Sequence, residues 1–166
     1  MANADKPAGF RFGYTLHGGP PTIKKYISTA AIIYPGDAVH LDGAGLVNSI
    51  ESDAVPMGVA MNYGAVAGTA DIYVMDDLVN TVFIVQADGS ELTSHAMTGL
   101  FYDIVQTAGD ATTGKSKMEL DSSDSVHDSL ELVGLVERPD NAWGANCDVY
   151  VKFHTDSHIQ VVANTG

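Results

Sequence analysis

Histidine side chains are the first residues of this sequence that could support chemistry, because there are six of them. His154 and His158 have the His-x3-His spacing that, on a helix, places two imidazoles on one face for zinc. Their neighbours have the pattern of strands, so we expect the pair to flank the turn at 155–157. The sequence identifies no third protein ligand, which a zinc site also needs. We therefore predict no metal site.

The acidic run Asp121 to Asp128 and the single cysteine are the other candidates. The run contains Ser125 and His127, but it fails the EF-hand template, and a catalytic triad requires residues that separate elements hold in place. It is typical of a mobile surface loop. Cys147 begins an apolar strand with no neighbouring base, which indicates a small buried residue. The phosphate-loop pattern GxxxxGK[ST] and the dinucleotide pattern GxGxxG do not occur. We predict that the protein is not an enzyme and binds no cofactor.

Charge divides the 166 residues into two unequal parts. Residues 1–26 carry four basic side chains and one acidic, a net +3, whereas residues 27–166 carry four basic and twenty acidic, a net −16. An acidic body repels phosphate backbones and anionic membranes, so neither nucleic acid nor membrane is an expected partner. The apolar runs are far shorter than the ~20 residues of a membrane span, and no secretory h-region is present at the start. We expect the chain to stay in the compartment where it is made.

The first 26 residues combine cations with aromatic rings between glycines and prolines, which oppose a continuous helix or a central strand. Free tails are poor in aromatics. We therefore interpret residues 1–26 as an extended N-terminal arm that binds a partner, and residues 27–166 as the body. The predicted contact residues of the arm are Lys6, Phe10, Arg11, Phe12, Tyr14, Lys24, Lys25 and Tyr26.

Seventeen glycines and short Val, Ile, Thr and Tyr runs between turn residues predict an all-β domain. Whether it is a β-barrel or a β-sandwich, for instance jelly-roll-like, stays open at this point. The candidate strands are Ile27 to Tyr34, Ala38 to Leu41, Val55 to Asn62, Ala70 to Met75, Thr81 to Ala87, Leu100 to Val105, Ser116 to Leu120, Leu130 to Glu137, Cys147 to His154 and His158 to Ala163. Helix is nearly absent, and only Ser94 to Tyr102 could supply a turn or two.

Two predicted strands of the body, and the tryptophan on the turn between them, indicate where the core and an oligomer interface lie. The alternation of Asp148 to Phe153 predicts a half-buried strand, and the almost unbroken apolar run Leu130 to Glu137 predicts a strand that is central or in an oligomer interface. Trp143 lies on the turn between them, where a large aromatic is either a lid over the core or an interface anchor. We take Trp143 and Tyr150 as candidate oligomer-interface residues.

The stretch Leu130 to Lys152, LELVGLVERPDNAWGANCDVYVK, resembles the C-terminal half of small capsid-associated structural proteins of tailed bacteriophages, of the cyanophage or marine short-tailed type. Gly36 to Val39, Val55 to Ala60 and Val82 to Ala87 are similar to the same group, so the resemblance covers roughly residues 27 to 160. It is a pattern of strands and turns without a catalytic signature.

This resemblance implies a decoration or cement protein on the outer surface of a virion, made in the host cytoplasm. Such a protein is an all-β homotrimer, or a dimer, that bridges neighbouring copies of the major capsid protein. The alternative from another class is a receptor- or glycan-binding module of a virion fibre or adhesin, which would bind through exposed aromatics such as Trp143 or Tyr150. An all-β nucleotide hydrolase is a further alternative, but its motifs are not visible.

Overall fold

The computed structural model describes residues 3–29, 31–51, 54–65, 70–89, 91–123 and 129–154. These residues form eleven strands in two antiparallel sheets, so the all-β prediction is confirmed. The arrangement is sandwich-like and not a closed barrel. The strands are β1 (Arg11–Thr15), β2 (Ile23–Ile27), β3 (Ala38–Leu41), β4 (Val47–Ser49), β5 (Gly58–Ala60), β6 (Asp71–Met75), β7 (Thr81–Gln86), β8 (Phe101–Val105), β9 (Glu119–Asp121), β10 (Leu130–Leu135) and β11 (Asp148–Phe153).

The first sheet has six strands in the order β1-β7-β11-β10-β8-β9, and the second has five in the order β2-β6-β5-β3-β4. In the described part of the chain the helical element is one 3-10 turn, His95–Met97, inside the stretch where a turn or two was expected. The strands β1 and β2, which follow each other in sequence, therefore lie at the edges of different sheets. Residues 16–22, which contain the predicted Gly and Pro breakers, connect these two edges.

The alternation predicted for β11 is confirmed for Val149, Val151 and Phe153, which are buried in the core. Asp148, expected on the opposite face, is also buried, where Arg11 and Arg138 contact its carboxylate. The strand β10 lies between β11 and β8, in the interior of its sheet as expected. Its second face is only partly covered, since Glu131 and Val133 are half-buried. The sequence pattern thus gave the position of β10 but overstated its burial.

Two apolar clusters fill the molecule. The larger lies between the sheets and contains an aromatic group in which Phe10, Phe83 and Phe153 have ring centroids 5.2 to 6.4 Å apart. The smaller lies on the other face of the second sheet, where Ile33 packs with Val39, Val47, Ala60, Ile72 and Val74. The second sheet is therefore buried on both faces over part of its surface.

Several predicted strand boundaries were wrong. The stretch Ile27 to Tyr34 was expected to be one strand, but β2 ends at Ile27, and Ser28 and Ile33 make only isolated bridges. Ile33 packs in the smaller cluster, and the backbone of this segment makes single hydrogen bonds to several partners instead of one continuous ladder. The prediction for Ser116 to Leu120 is displaced to β9, and β1, β4 and the start of β2 were missed. The predicted strand His158 to Ala163 lies outside the described residues.

The predicted arm needs a correction, because much of residues 3–26 is part of the sandwich. The strand β1 pairs with β7, and β2 pairs with β6 over its whole length. Between the N-terminus and β1, Phe10 is only 2% exposed, and its N–H donates to the carbonyl of Gly36 at 2.8 Å. Gly36 has φ +92°, and a Cβ there would lie 2.8 Å from the carbonyl oxygen of Ala8, so a side chain would obstruct this crossing.

Amide side chains fasten the first described residues to β7 and to the turn between β10 and β11. The Asn3 amide donates to the carbonyls of Ala142 and Ala145, both at 2.8 Å. The Gln86 amide donates to the carbonyl of Ala4 and accepts the N–H of Lys6, both at 2.9 Å. A boundary at residue 26 therefore does not separate an arm from a body.

Candidate interaction surfaces

The residues predicted to contact a partner through the arm are divided between core and surface. Phe10 is in the core and is unavailable to any partner. Phe12 and Tyr14 are 42% and 41% exposed on β1, and Lys6, Arg11, Lys24 and Lys25 are also exposed. Tyr26 is half-buried against the smaller cluster.

Most cations of this segment are already paired with carboxylates of the body. Arg11 contacts Asp148 at 3.0 Å, and Lys24 contacts Asp76 at 2.9 Å. The ammonium nitrogen of Lys25 lies 3.2 Å from a carboxylate oxygen of Asp71. The hydrogen bond to Asp76 raises the pKa of Lys24. The net +3 read from the sequence is therefore largely neutralised where the segment meets the body.

The outer edge of β1 is the strongest candidate for a backbone-mediated contact. The strand β1 ends the first sheet and pairs with β7 alone among the described strands. Phe12 and Tyr14 are exposed on it, and Leu16 follows directly with a still larger exposed fraction. A strand edge with free backbone groups and exposed apolar side chains accepts an additional strand.

An apolar cleft of about 460 Å³ opens between the two sheets beside β1. Its lining includes Phe10, Phe12, Pro21, Met61 and Met75. The charged residues of its lining are both cations, Arg11 and Lys115, and in the described chain no carboxylate pairs with Lys115. The cleft marks the place where the first sheet stops covering the second.

Beyond this cleft the inner face of the second sheet continues uncovered. Val59 of β5 pairs with Met75 of β6, and both are buried against the first sheet. On the same face, by the two-residue period of strands, lie Met61, Tyr73, Ile23, Lys25, Ile27 and Asp71, all exposed. We call these six residues the overhang. Sequence reasoning missed it, because the alternation of β2 and β6 is visible but the place where the other sheet ends is not.

The candidate oligomer-interface residues are partly used inside the chain. Trp143 is half-buried and packs against the larger cluster. Tyr150 is half-buried, and its ring centroid lies 5.5 Å from that of Tyr14. These contacts give both rings intramolecular partners.

The hairpin that carries Trp143 is held by one buried amide. Asn141 donates to the carbonyls of Val136 and Asp148, both at 2.8 Å, and accepts the N–H of Asp148 at 2.9 Å. The buried Asp148 carboxylate contacts Arg138 at 2.6 Å as well as Arg11. The hairpin and the start of β1 are therefore joined through one carboxylate.

A half-buried acidic group lies where β9 meets the N-terminal residues. Burial first, and then the charges of Asp5 and Asp88, raise the pKa of Glu119 to about 7. Asp88 in turn accepts both the N–H and the hydroxyl of Ser122 at 2.9 Å. The group has the electrostatics of a pH-sensitive contact.

The histidines and the cysteine that the sequence offered for metal binding or catalysis are not brought together in the described part of the structure. The ring of His154 packs against Phe101 with centroids 4.4 Å apart, and His158 is outside the described residues. Burial raises the pKa of the Cys147 thiol. Among the residues that the structure describes, no three His, Cys, Asp or Glu side chains are grouped to hold a metal ion. The described part of the chain also contains no helix with the length and hydropathy to cross a membrane.

Comparisons of the chain with protein-family models, with curated proteins and with solved structures found no match.

Proposed function

We propose that this chain is a structural protein of a tailed-phage virion that binds the outer surface of the capsid and bridges subunits of the major capsid protein. The observation that carries the proposal is the outer edge of β1, with Phe12 and Tyr14 exposed on it and Leu16 directly after it. The resemblance of Leu130 to Lys152 to phage capsid-associated proteins gives the partner.

Affinity for the capsid is better explained by the β1 edge than by the cations of residues 1–26. The cations of residues 1–26, which would suit an acidic capsid surface if they were free, are mostly engaged with Asp148, Asp76 and Asp71. Affinity then comes from main-chain hydrogen bonds along β1 and from burial of Phe12 and its apolar neighbours. The acidic remainder of the chain, facing solvent, keeps a crowded particle surface soluble.

Linkage converts this binding into stability of the shell. A protein that binds only the expanded lattice stabilises it by about 2.7 kcal/mol per site at a free concentration of about 100 Kd. Summed over many sites, contacts of modest affinity resist internal pressure. No reaction and no cofactor enter this function.

The test begins with purified particles of the virus that encodes the chain. Mass spectrometry should find the chain in fixed stoichiometry with the major capsid protein, and antibody labelling should place it on the outside. Particles without the chain should also rebind the purified protein and then lose their DNA at a higher temperature. Absence of the chain from particles would refute the proposal.

A matched pair of variants tests the assigned edge. Phe12→Asp and Leu100→Asp each place one negative charge at an apolar side chain of similar exposure, 42% and 49%. Leu100 directly precedes β8, which is away from β1 in the sheet order. Phe12→Asp should abolish particle binding, and Leu100→Asp should retain it. Deletion of residues 1–26 is not a clean test, because it removes Phe10, the whole of β1 and all but the last residue of β2.

A further inference from the structure

The overhang is a continuation of the core face of the second sheet with nothing over it in the described structure. Its paired positions form a regular grid, in which Ile23 faces Met75, Lys25 faces Tyr73 and Ile27 faces Asp71 across the β2–β6 ladder. Met61 extends the Tyr73 row, since its N–H donates to the Tyr73 carbonyl at 2.8 Å. Side chains directly opposite in an antiparallel pair lie on the same face.

Four large apolar side chains are exposed together on this face. Ile23, Ile27, Met61 and Tyr73 are each between 43% and 49% exposed. Large apolar side chains grouped in this way mark a surface that another protein covers. The overhang and the β1 edge belong to different sheets, and the two surfaces adjoin at the cleft, which Met61 and Phe12 both line.

The distribution of charge favours a second copy of this chain as the protein that covers the overhang. The chain has a net charge of −13, so two copies repel each other over most of their surfaces. The overhang carries one cation and one anion, Lys25 and Asp71, 3.2 Å apart, and its net charge is zero. A two-fold contact buries the same patch of both copies, and a patch without net charge lets two copies of this acidic chain meet there without repulsion.

We infer that the overhang is the surface through which copies of this chain associate, by packing Tyr73, Ile23, Ile27 and Met61 against the same residues of a second copy. This inference rests on the proposed function in assuming that the protein acts as an oligomer. It places the contact on the second sheet, whereas the sequence pointed to Trp143 and Tyr150. Capsid binding stays assigned to the outer edge of β1, in the first sheet.

The experiment measures the oligomeric state of the purified full chain by sedimentation equilibrium, in the absence of particles. The wild-type chain should associate at concentrations below about 100 μM. Tyr73→Glu should raise the dissociation constant at least tenfold, and Tyr73→Phe should leave it within about threefold. Leu100→Glu is the matched control, with the same charge change and an exposure of 49% against 47%.

Charge exchange gives a second, independent measurement. Lys25→Asp places two carboxylates together and should weaken association, and the double variant Lys25→Asp/Asp71→Lys should restore it. Thermal unfolding of each variant at high dilution shows whether the monomer itself remains folded.

Three results would overturn the inference: a monomeric wild-type chain at 100 μM and above, equal loss of association in Leu100→Glu, or dissociation by Trp143→Ala with none by Tyr73→Glu. Because no capsid is present, these failures leave the capsid proposal standing. Conversely, loss of particle binding with normal association contradicts the capsid proposal alone.

Discussion

Replacing Phe10 with alanine tests whether the N-terminal residues are part of the fold. The ring is 2% exposed and lies 5.2 Å from the ring of Phe153 and 6.4 Å from that of Phe83, measured between centroids. Truncation of a buried phenylalanine costs about 3–5 kcal/mol of unfolding free energy, part of it from the cavity that remains. Against a total stability of roughly 5–15 kcal/mol, the loss in Phe10→Ala is large.

The matched control is Phe12→Ala, two residues further along the chain. Phe12 is 42% exposed, so its truncation should cost about 1 kcal/mol or less. Urea unfolding followed by Trp143 fluorescence and by far-ultraviolet circular dichroism gives both free energies. If residues 1–26 were a separate arm, both substitutions would leave the body equally stable. A Phe10→Ala value within about 1 kcal/mol of the Phe12→Ala value therefore refutes the packing described for Phe10.

Three further predictions follow from buried polar groups. Because the pKa of Glu119 is raised from 4.5 to about 7, the folded state binds this proton more tightly than the unfolded state. The wild-type chain should lose unfolding free energy as the pH rises from 4.5 towards 7, and Glu119→Gln should show a flatter profile in urea titrations across that window. Asp148→Asn should lower the unfolding free energy by about 1–3 kcal/mol, whereas Asp140→Asn, at a 78% exposed side chain, should change it by less than about 0.5 kcal/mol in the same assay. Asn141→Ala removes three hydrogen bonds and should cost about 2–3 kcal/mol by thermal unfolding, with an unchanged midpoint contradicting the assigned network.

The all-β class could be predicted because its signals are local. The alternation of Val149, Val151 and Phe153 follows from the two-residue period of a strand, and the turns between strands carry Gly, Asp and Asn for reasons of backbone geometry. The same local signals exist in residues 11–15 and 23–27. The nearby glycines and prolines led to the prediction of an arm instead of strands. These residue types occur in the connection between two sheets as often as in an extended arm.

What could not be predicted depends on contacts between distant residues. Phe10 and Phe12 have the same side chain and similar neighbours, yet one is in the core and the other on the surface, because a crossing at Gly36 directs the first between the sheets. To predict that Lys24 pairs with Asp76 and Lys25 with Asp71, the register of β2 on β6 would have to be known. Predicting the overhang would have required knowing where the first sheet stops covering the second.

The fastening of Asn3 to Ala142 and Ala145 has a consequence for synthesis on the ribosome. Residues 3–15 leave the ribosome well before Ala142 and Ala145, and β1 needs β7 before it can pair. Phe10, which is buried in the finished fold, therefore lacks its contact with Phe153 until β11 is translated. The nascent chain must keep Phe10 from aggregating until that strand emerges, and the larger cluster is completed only then.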